Sequence, residues 1–256
     1  MKRSIELTFL VFVIFTILIM GCVPTPTSAP PTFTPSSLPP TFTPPPTATS
    51  TPLPSETPTR MRTTIVFFST DFDSEVSTQF SGVATTESVQ GYEGIGTGAN
   101  VFNGKFLRNS SVPPLPTTLR LTGLPAHTSI DLHFLLAIVD SWDGTCCGSD
   151  QFTITVDGAS LFTEVFNNLA DGGVQSYVPP LGVELVRKME LGFRDIDAND
   201  QESGYDMSQD PLFSNIPHTA STLTIEWYAS GPGWQGGTDE SWAIDNLEVI
   251  LNIEDN

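Results

Sequence analysis

The chain has 256 residues, with 10 Lys and Arg against 29 Asp and Glu, for a formal net charge of −19. That balance excludes a nucleic-acid partner, because affinity for phosphate backbones comes from clustered Lys and Arg. It suits cation binding, or solubility outside the cell.

Lys2 and Arg3 open the chain, and Leu7 to Met20 is an almost unbroken apolar run that closes in "LIMGC" at Cys22. The run is too short and too one-sided for a comfortable membrane span, and it reads as an export signal. The order of basic start, apolar run and Gly21-Cys22 resembles the lipobox of bacterial lipoproteins. That resemblance implies a signal peptide over 1–21, lipidation of Cys22, and anchoring to the membrane at the bacterial cell surface. The other reading is an uncleaved anchor helix with an incidental cysteine. Either way the rest of the chain is exported and tethered.

Residues 22–62 are dominated by Pro, Thr and Ser, with "PPTFTP" repeated. Proline fixes φ and removes backbone donors, so this segment predicts a disordered, extended linker without a core. Residues 63–253 are long enough for one sizeable domain.

Period-2 patterns dominate that domain. "TTLRLTG" sets Leu119 and Leu121 against Arg120 and Thr122, and "STLTIEWYASG" sets Leu223, Ile225 and Trp227 against Thr224, Glu226 and Tyr228. "QFTITVDGASLFTEVF" predicts a hairpin turning at Asp157-Gly158, and further strands run through "SIDLHFLLAIVD" and "SWAIDNLEVIL". No window carries an amphipathic helix. About nine or ten strands without βαβ spacing predict an all-β, two-sheet antiparallel sandwich of jelly-roll type.

"LPAHTSIDLHFLLAIVDSWDG", "DQFTITVDGASLF", "PHTASTLTIEWYASG" and "DESWAIDNLEVIL" occur in this order. Together they resemble uncharacterised bacterial surface and secreted β-sandwich domains. The last stretch is similar to the closing strand of MAM-type adhesion modules, within the wider set of concanavalin-like sandwiches. The resemblance implies a jelly roll over most of residues 65–252. The disulfide cysteines of animal MAM modules are missing, and fold alone does not carry a ligand.

Two carboxylates extend apolar faces. Asp140 follows Ile130, Leu132, Phe134, Leu136 and Ile138, and Asp245 precedes Leu247, Val249 and Leu251 at the same parity. A buried carboxylate must take a proton, find donors or bind a cation. Asp143 and Asp150 lie near Asp140, and Asp239 and Glu240 near Asp245. These six oxygen-bearing residues are the candidate ligands of a structural Ca2+. The competing reading is turn capping by the same aspartates. Asp71, Asp73 and Glu75 join them if the first strand pairs beside the last. "DIDANDQESGYD" has an EF-hand-like spacing, but Asp200 stands where that loop needs Gly, so a solvated loop is expected.

With Cys22 lipidated, Cys146 and Cys147 are the remaining thiols. Exported thiols tend to oxidise, so the pair predicts a vicinal disulfide; free thiols and an intermolecular bridge are the alternatives. The sequence lacks the nucleophile-elbow, zinc-protease and P-loop motifs. Mid-strand His133 is a packed or surface residue rather than a base. The chain therefore reads as a binding or adhesion module, not an enzyme. Glycans are the leading ligand class, with Trp142, Trp234 and Trp242 as candidate platforms. The alternatives are a structural spacer, or a polysaccharide hydrolase using an Asp/Glu pair.

Overall fold

Alternating β-branched and aromatic residues form strands wherever the alternation is clean. The computed structural model of the chain describes residues 62–146, 148–170, 172–193 and 201–254. The expected signal peptide, residues 22–61 of the expected linker, and Cys22 lie outside the described residues, and Arg62, expected to close the linker, opens the first strand. The strands in chain order are β1 (Arg62–Thr70), β2 (Phe80–Gly82), β3 (Thr85–Ser88), β4 (Gly96–Thr97), β5 (Asn100–Val101), β6 (Lys105–Asn109), β7 (Thr117–Thr122) and β8 (Ser129–Asp140). They continue as β9 (Gln151–Val156), β10 (Ala159–Val165), β11 (Glu184–Met189), β12 (Glu202–Asp206), β13 (Ile216–Pro217), β14 (Thr222–Ser230) and β15 (Glu240–Glu254). Among the described residues no helix is long and apolar enough to cross a membrane.

Two antiparallel sheets pack face to face. The first runs β11-β12-β8-β15-β6-β3, with β1 also on β15 and β13 also on β8; the second runs β10-β9-β14-β7-β2. The hairpin expected at Asp157-Gly158 joins β9 to β10, and both turn residues hold the positive φ (50° and 78°) that a tight hairpin turn uses. Between the sheets, Phe134, Leu136 and Ile138 of β8 and Leu247, Val249 and Leu251 of β15 meet Ile154, Ile225 and Trp227. Large apolar side chains of this kind stabilise by about 1.5–3 kcal/mol each on burial. Trp227 and Phe134 are both fully buried.

The first sheet is also apolar on its outer face along part of its length. Leu135, Ala137, Val139 and Ala243 lie there under a lid of Val89, Tyr92, Phe102, Phe106 and Phe193. Tyr92 locks the lid down, its hydroxyl reaching Ile138 O at 3.2 Å and Ser203 O at 3.0 Å. Strands buried on both faces lose their alternation and read as continuous apolar runs, as "FLLAIV" does.

The expected shared face of Asp245 and Leu247 is corrected by a β-bulge. The β8–β15 register shifts between Asp245 and Glu248, with Asn246 at φ 48°. One extra residue reverses the alternation, so Trp242 and Ile244 before the bulge and Leu247, Val249 and Leu251 after it all reach the inner core. Asp245 instead follows Ala243 outward. Its Oδ2 accepts from Asn103 N–H at 3.2 Å and its Oδ1 from Asn246 N–H at 2.7 Å.

Asp140 also leaves the inner face. It takes φ 67° at the end of β8 and meets Arg108 Nη2 at 3.2 Å. The same guanidinium donates through Nε to Ser241 Oγ and through Nη1 to Glu87, and it covers the Phe193 ring at 5.2 Å. This is a buried ion pair, with Asp140 at 1% side-chain exposure.

Burial pushes the Asp245 carboxyl up to about 7, against the two backbone N–H donors, and Asp73 and Asp71 push it further. An unfolded Asp titrates near ~3.9. Between about pH 4 and 7 the folded chain keeps a proton that the unfolded chain has released, so stability falls as pH rises through this window. Melting curves in EDTA should show Tm declining from pH 5 to pH 8, with a shallower decline in Asp245→Asn. An unchanged slope in the variant would show that Asp245 does not hold this proton.

Candidate metal centre

The site is built where β8 ends and β15 begins. Register pairs Asp140 with Glu240, so the loop after Asp140 starts beside the first residue of β15. That loop folds back: Trp142 N–H reaches Asp140 O at 2.9 Å, and Ser141 N–H reaches Asp239 O at 3.0 Å. Asp143 then bridges to Asn167. Two glycines allow the close backbone approach. A Cβ on Gly148 would stand 2.5 Å from Gly233 N, and one on Gly233 would stand 2.7 Å from Asp150 Oδ1. Neither position tolerates a side chain, and the space beside Asp150 depends on the second.

Asp143, Asp150 and Glu240 come together, each offering a ligand oxygen within 4.8 Å of the others. Oxygens on opposite sides of one Ca2+ at ~2.4 Å are ~4.8 Å apart, so the cluster fits one hard cation. Asp150 and Glu240 are both fully buried. One oxygen of each is occupied: Asp150 Oδ2 accepts from Asp143 N–H at 3.0 Å, and Glu240 Oε2 from Gln235 N–H at 2.8 Å. The other oxygens, Asp150 Oδ1 and Glu240 Oε1, are buried and meet no donor among the described residues. The same holds for Asp239 Oδ2 and Asn167 Oδ1.

Electrostatics agree with the geometry. Burial pushes the Glu240 carboxyl up to about 8; Gln235 N–H opposes this, while Asp150 and Asp239 add to it. Burial likewise raises Asp150 and Asp143, and the neighbouring charges that raise them further are other carboxylates. A proton on Glu240 that points at Asp150 satisfies the pair without metal; a divalent cation does the same for all three groups.

The remaining candidates sit elsewhere. Asp140 is held by Arg108, and Asp245 by backbone N–H groups at the bulge. Asp239 borders the cluster and takes the Ser141 hydroxyl on Oδ1 at 3.1 Å. Cys146 is disulfide-bonded, and Cys147 lies outside the described residues. Trp142 and Trp242 are corrected as platforms, since their exposures of 0% and 1% leave no ring face for a ligand. Trp142 donates Nε1–H to Ser241 O and packs edge-on under Trp234 at 5.4 Å. Trp234 alone of the three is half-buried. Of "DIDANDQESGYD", residues 195–200 lie outside the described residues, and Glu202–Asp206 form β12 rather than a solvated loop. The roles of Asn167 and Gly233 carried no sequence signal beyond "GPGW".

The sequence matches no protein-family model and no curated protein. Among solved structures, it is similar to dimeric latent PorU from Porphyromonas gingivalis at 11% identity and TM-score 0.32, over 69% of this chain and 13% of that one. It is also similar to SGBP-B from a complex xyloglucan utilization locus in Bacteroides uniformis, at 14% identity and TM-score 0.29, over 69% of this chain and 47% of that one. The chain thus spans less than half the length of either. TM-scores this low carry neither ligand nor activity across.

If the three carboxylates hold Ca2+, saturating metal at about 100-fold over Kd stabilises by roughly 2.7 kcal/mol. For a domain of this size that is about 5–10 °C in Tm. Millimolar Ca2+ should raise Tm by that amount over EDTA, and Asp150→Asn or Glu240→Gln should abolish the response. Asp140→Asn should lower Tm in both buffers yet keep the response, because its partner is Arg108. Superimposable melting curves for the parent in Ca2+ and EDTA would leave the cluster as a shared-proton pair only.

Proposed function

We propose that this chain is a lipid-anchored bacterial surface protein whose β-sandwich is a Ca2+-stabilised binding or adhesion module for glycans. The observation that carries the reading is the Asp143/Asp150/Glu240 cluster, with two buried oxygens that meet no donor among the described residues, at the loop-bearing end of the first sheet. A cation there pins the 141–150 loop to the start of β15 and stiffens the surface around Trp234. Pairing of Cys146 with adjacent Cys147 would stiffen the same loop and belongs to this proposal. Anchoring rests on the Lys2/Arg3, apolar-run and Gly21-Cys22 order.

A structural spacer is the second reading, favoured by the burial of Trp142 and Trp242. A hydrolase built on Asp150 and Glu240 gains no support from their geometry. The pair is fully buried and close enough to share a proton, whereas glycoside hydrolysis uses carboxyls about 5–9.5 Å apart that flank an open site.

Expression of the full chain in a bacterium fed labelled fatty acid tests the anchor. The parent should incorporate label and fractionate with membranes, and Cys22→Ser should do neither. Screening the same protein on a glycan array, with Ca2+ and with EDTA, tests the module. Binding that weakens in EDTA supports it; no bound glycan in either buffer returns the chain to the spacer reading.

A further inference from the structure

The β15 bulge opens a cleft of about 580 Å3 on the first sheet, far along β15 from the carboxylate cluster. β6 pairs with β15 only as far as Ile244, and β1 begins to pair at Leu247, so the flank of β15 is interrupted at the bulge. The cleft lies there. Its walls include Asp71 at the end of β1, Asn100 at the start of β5, His133 of β8, and Asn246 and Glu248 of the bulge.

The amides are locked in one orientation. Asn246 Nδ2 donates to Val101 O at 2.8 Å and to Asn100 Oδ1 at 3.1 Å, and Asn100 Nδ2 donates to Asp206 Oδ1 at 3.2 Å. Both Asn246 N–H donors and one of the two on Asn100 are therefore spent on the protein, and Asn246 Oδ1 meets no protein donor among the described residues. Asp71 spends one oxygen on Asp73 N–H, and Glu248 lies 3.8 Å from His133 Nδ1. The cleft thus carries acceptors from Asp71 beyond β1 and from Asn246 and Glu248 of β15, beside the hydroxyls of Ser69, Thr70 and Ser208. A sugar ring, whose hydroxyls both donate and accept, matches such a mixed lining. Asp71 and Glu248, with Asp73 beside Asp71, repel anions. The volume falls within the range of small-ligand sites.

We propose that this cleft binds an uncharged sugar residue through hydroxyls donated to Asp71, Asn246 and Glu248. This rests on the glycan-binding reading above and moves its site from the tryptophans to the bulge. It excludes uronate and sulfated sugars by charge.

The test uses the full chain in Ca2+ buffer, titrated with neutral oligosaccharides selected on an array and with uronate-bearing counterparts. Neutral sugars should bind and uronates should not. Glu248→Gln should weaken binding about tenfold, in line with loss of a charge-assisted hydrogen bond. Ala99→Trp, at the exposed rim, should block the cleft and remove binding with Tm unchanged, and Trp234→Ala should leave affinity within about twofold. Retained binding in both cleft variants with loss in Trp234→Ala overturns the cleft and leaves the glycan reading standing. Binding of no sugar, or of polyamines in place of sugars, overturns both.

Discussion

Two long antiparallel strands, β8 and β15, hold this structure together. They pair from Asp140 opposite Glu240 to Ser129 opposite Asn252, and the flanking strands of the first sheet attach to one or the other. Their inner faces supply much of the sandwich core, and their outer faces support the Tyr92 lid. Because β8 ends where β15 begins, an acidic loop and an acidic strand start share one corner. The cluster is a consequence of register before it is one of chemistry.

The chain is short of basic side chains, and the carboxylates of β8, β15 and the loop that follows β8 are accommodated in three different ways. Asp140 takes one of the few arginines. Asp245 takes the backbone N–H of Asn246 in the bulge and that of Asn103 between β5 and β6. Asp143, Asp150 and Glu240 crowd together, and although Asp150 and Glu240 each take one backbone N–H, their other oxygens must share a proton or a cation. Removing a carboxylate has a different meaning in each case. At Asp140 it removes one of the two carboxylates on the Arg108 guanidinium, which keeps Glu87; at Asp150 it relieves repulsion when metal is absent.

Much of the fold was readable from alternation alone. "TLTIEWYAS" became β14 with Leu223, Ile225 and Trp227 inward, and Asp157-Gly158 made the expected hairpin. Faces were misread where the period-2 phase breaks. Nothing in "AIDNLEVIL" marks an inserted residue except Asn246, a residue type that accepts positive φ, and that one break sends Asp245 to the opposite face. Of the six acidic candidates, three converge, and which three depends on the Arg108 pairing contributed from distant β6. Trp142 looked like a loop aromatic because a local window cannot show that Ser241 O and the Trp234 ring meet it from distant parts of the chain, and Trp242 because it cannot show that β15 has already begun at Glu240.

The first strand has a mechanical consequence. β1 pairs with the far half of β15, Arg62 opposite Glu254 and Thr70 opposite Leu247, and Arg62 is where the chain emerging from the Pro/Thr-rich segment enters the sheet. The 15 residues of β15 span roughly 45–50 Å, with Glu240 at the opposite end. Tension between the entering chain and anything gripped at the bulge or beyond it runs along β1 rather than across it. Hydrogen bonds loaded lengthwise resist as a group, whereas bonds pulled from one end open in succession like a zip. Were the chain held from its Pro/Thr-rich end, as proposed above, the load would fall along the strong axis of the sheet.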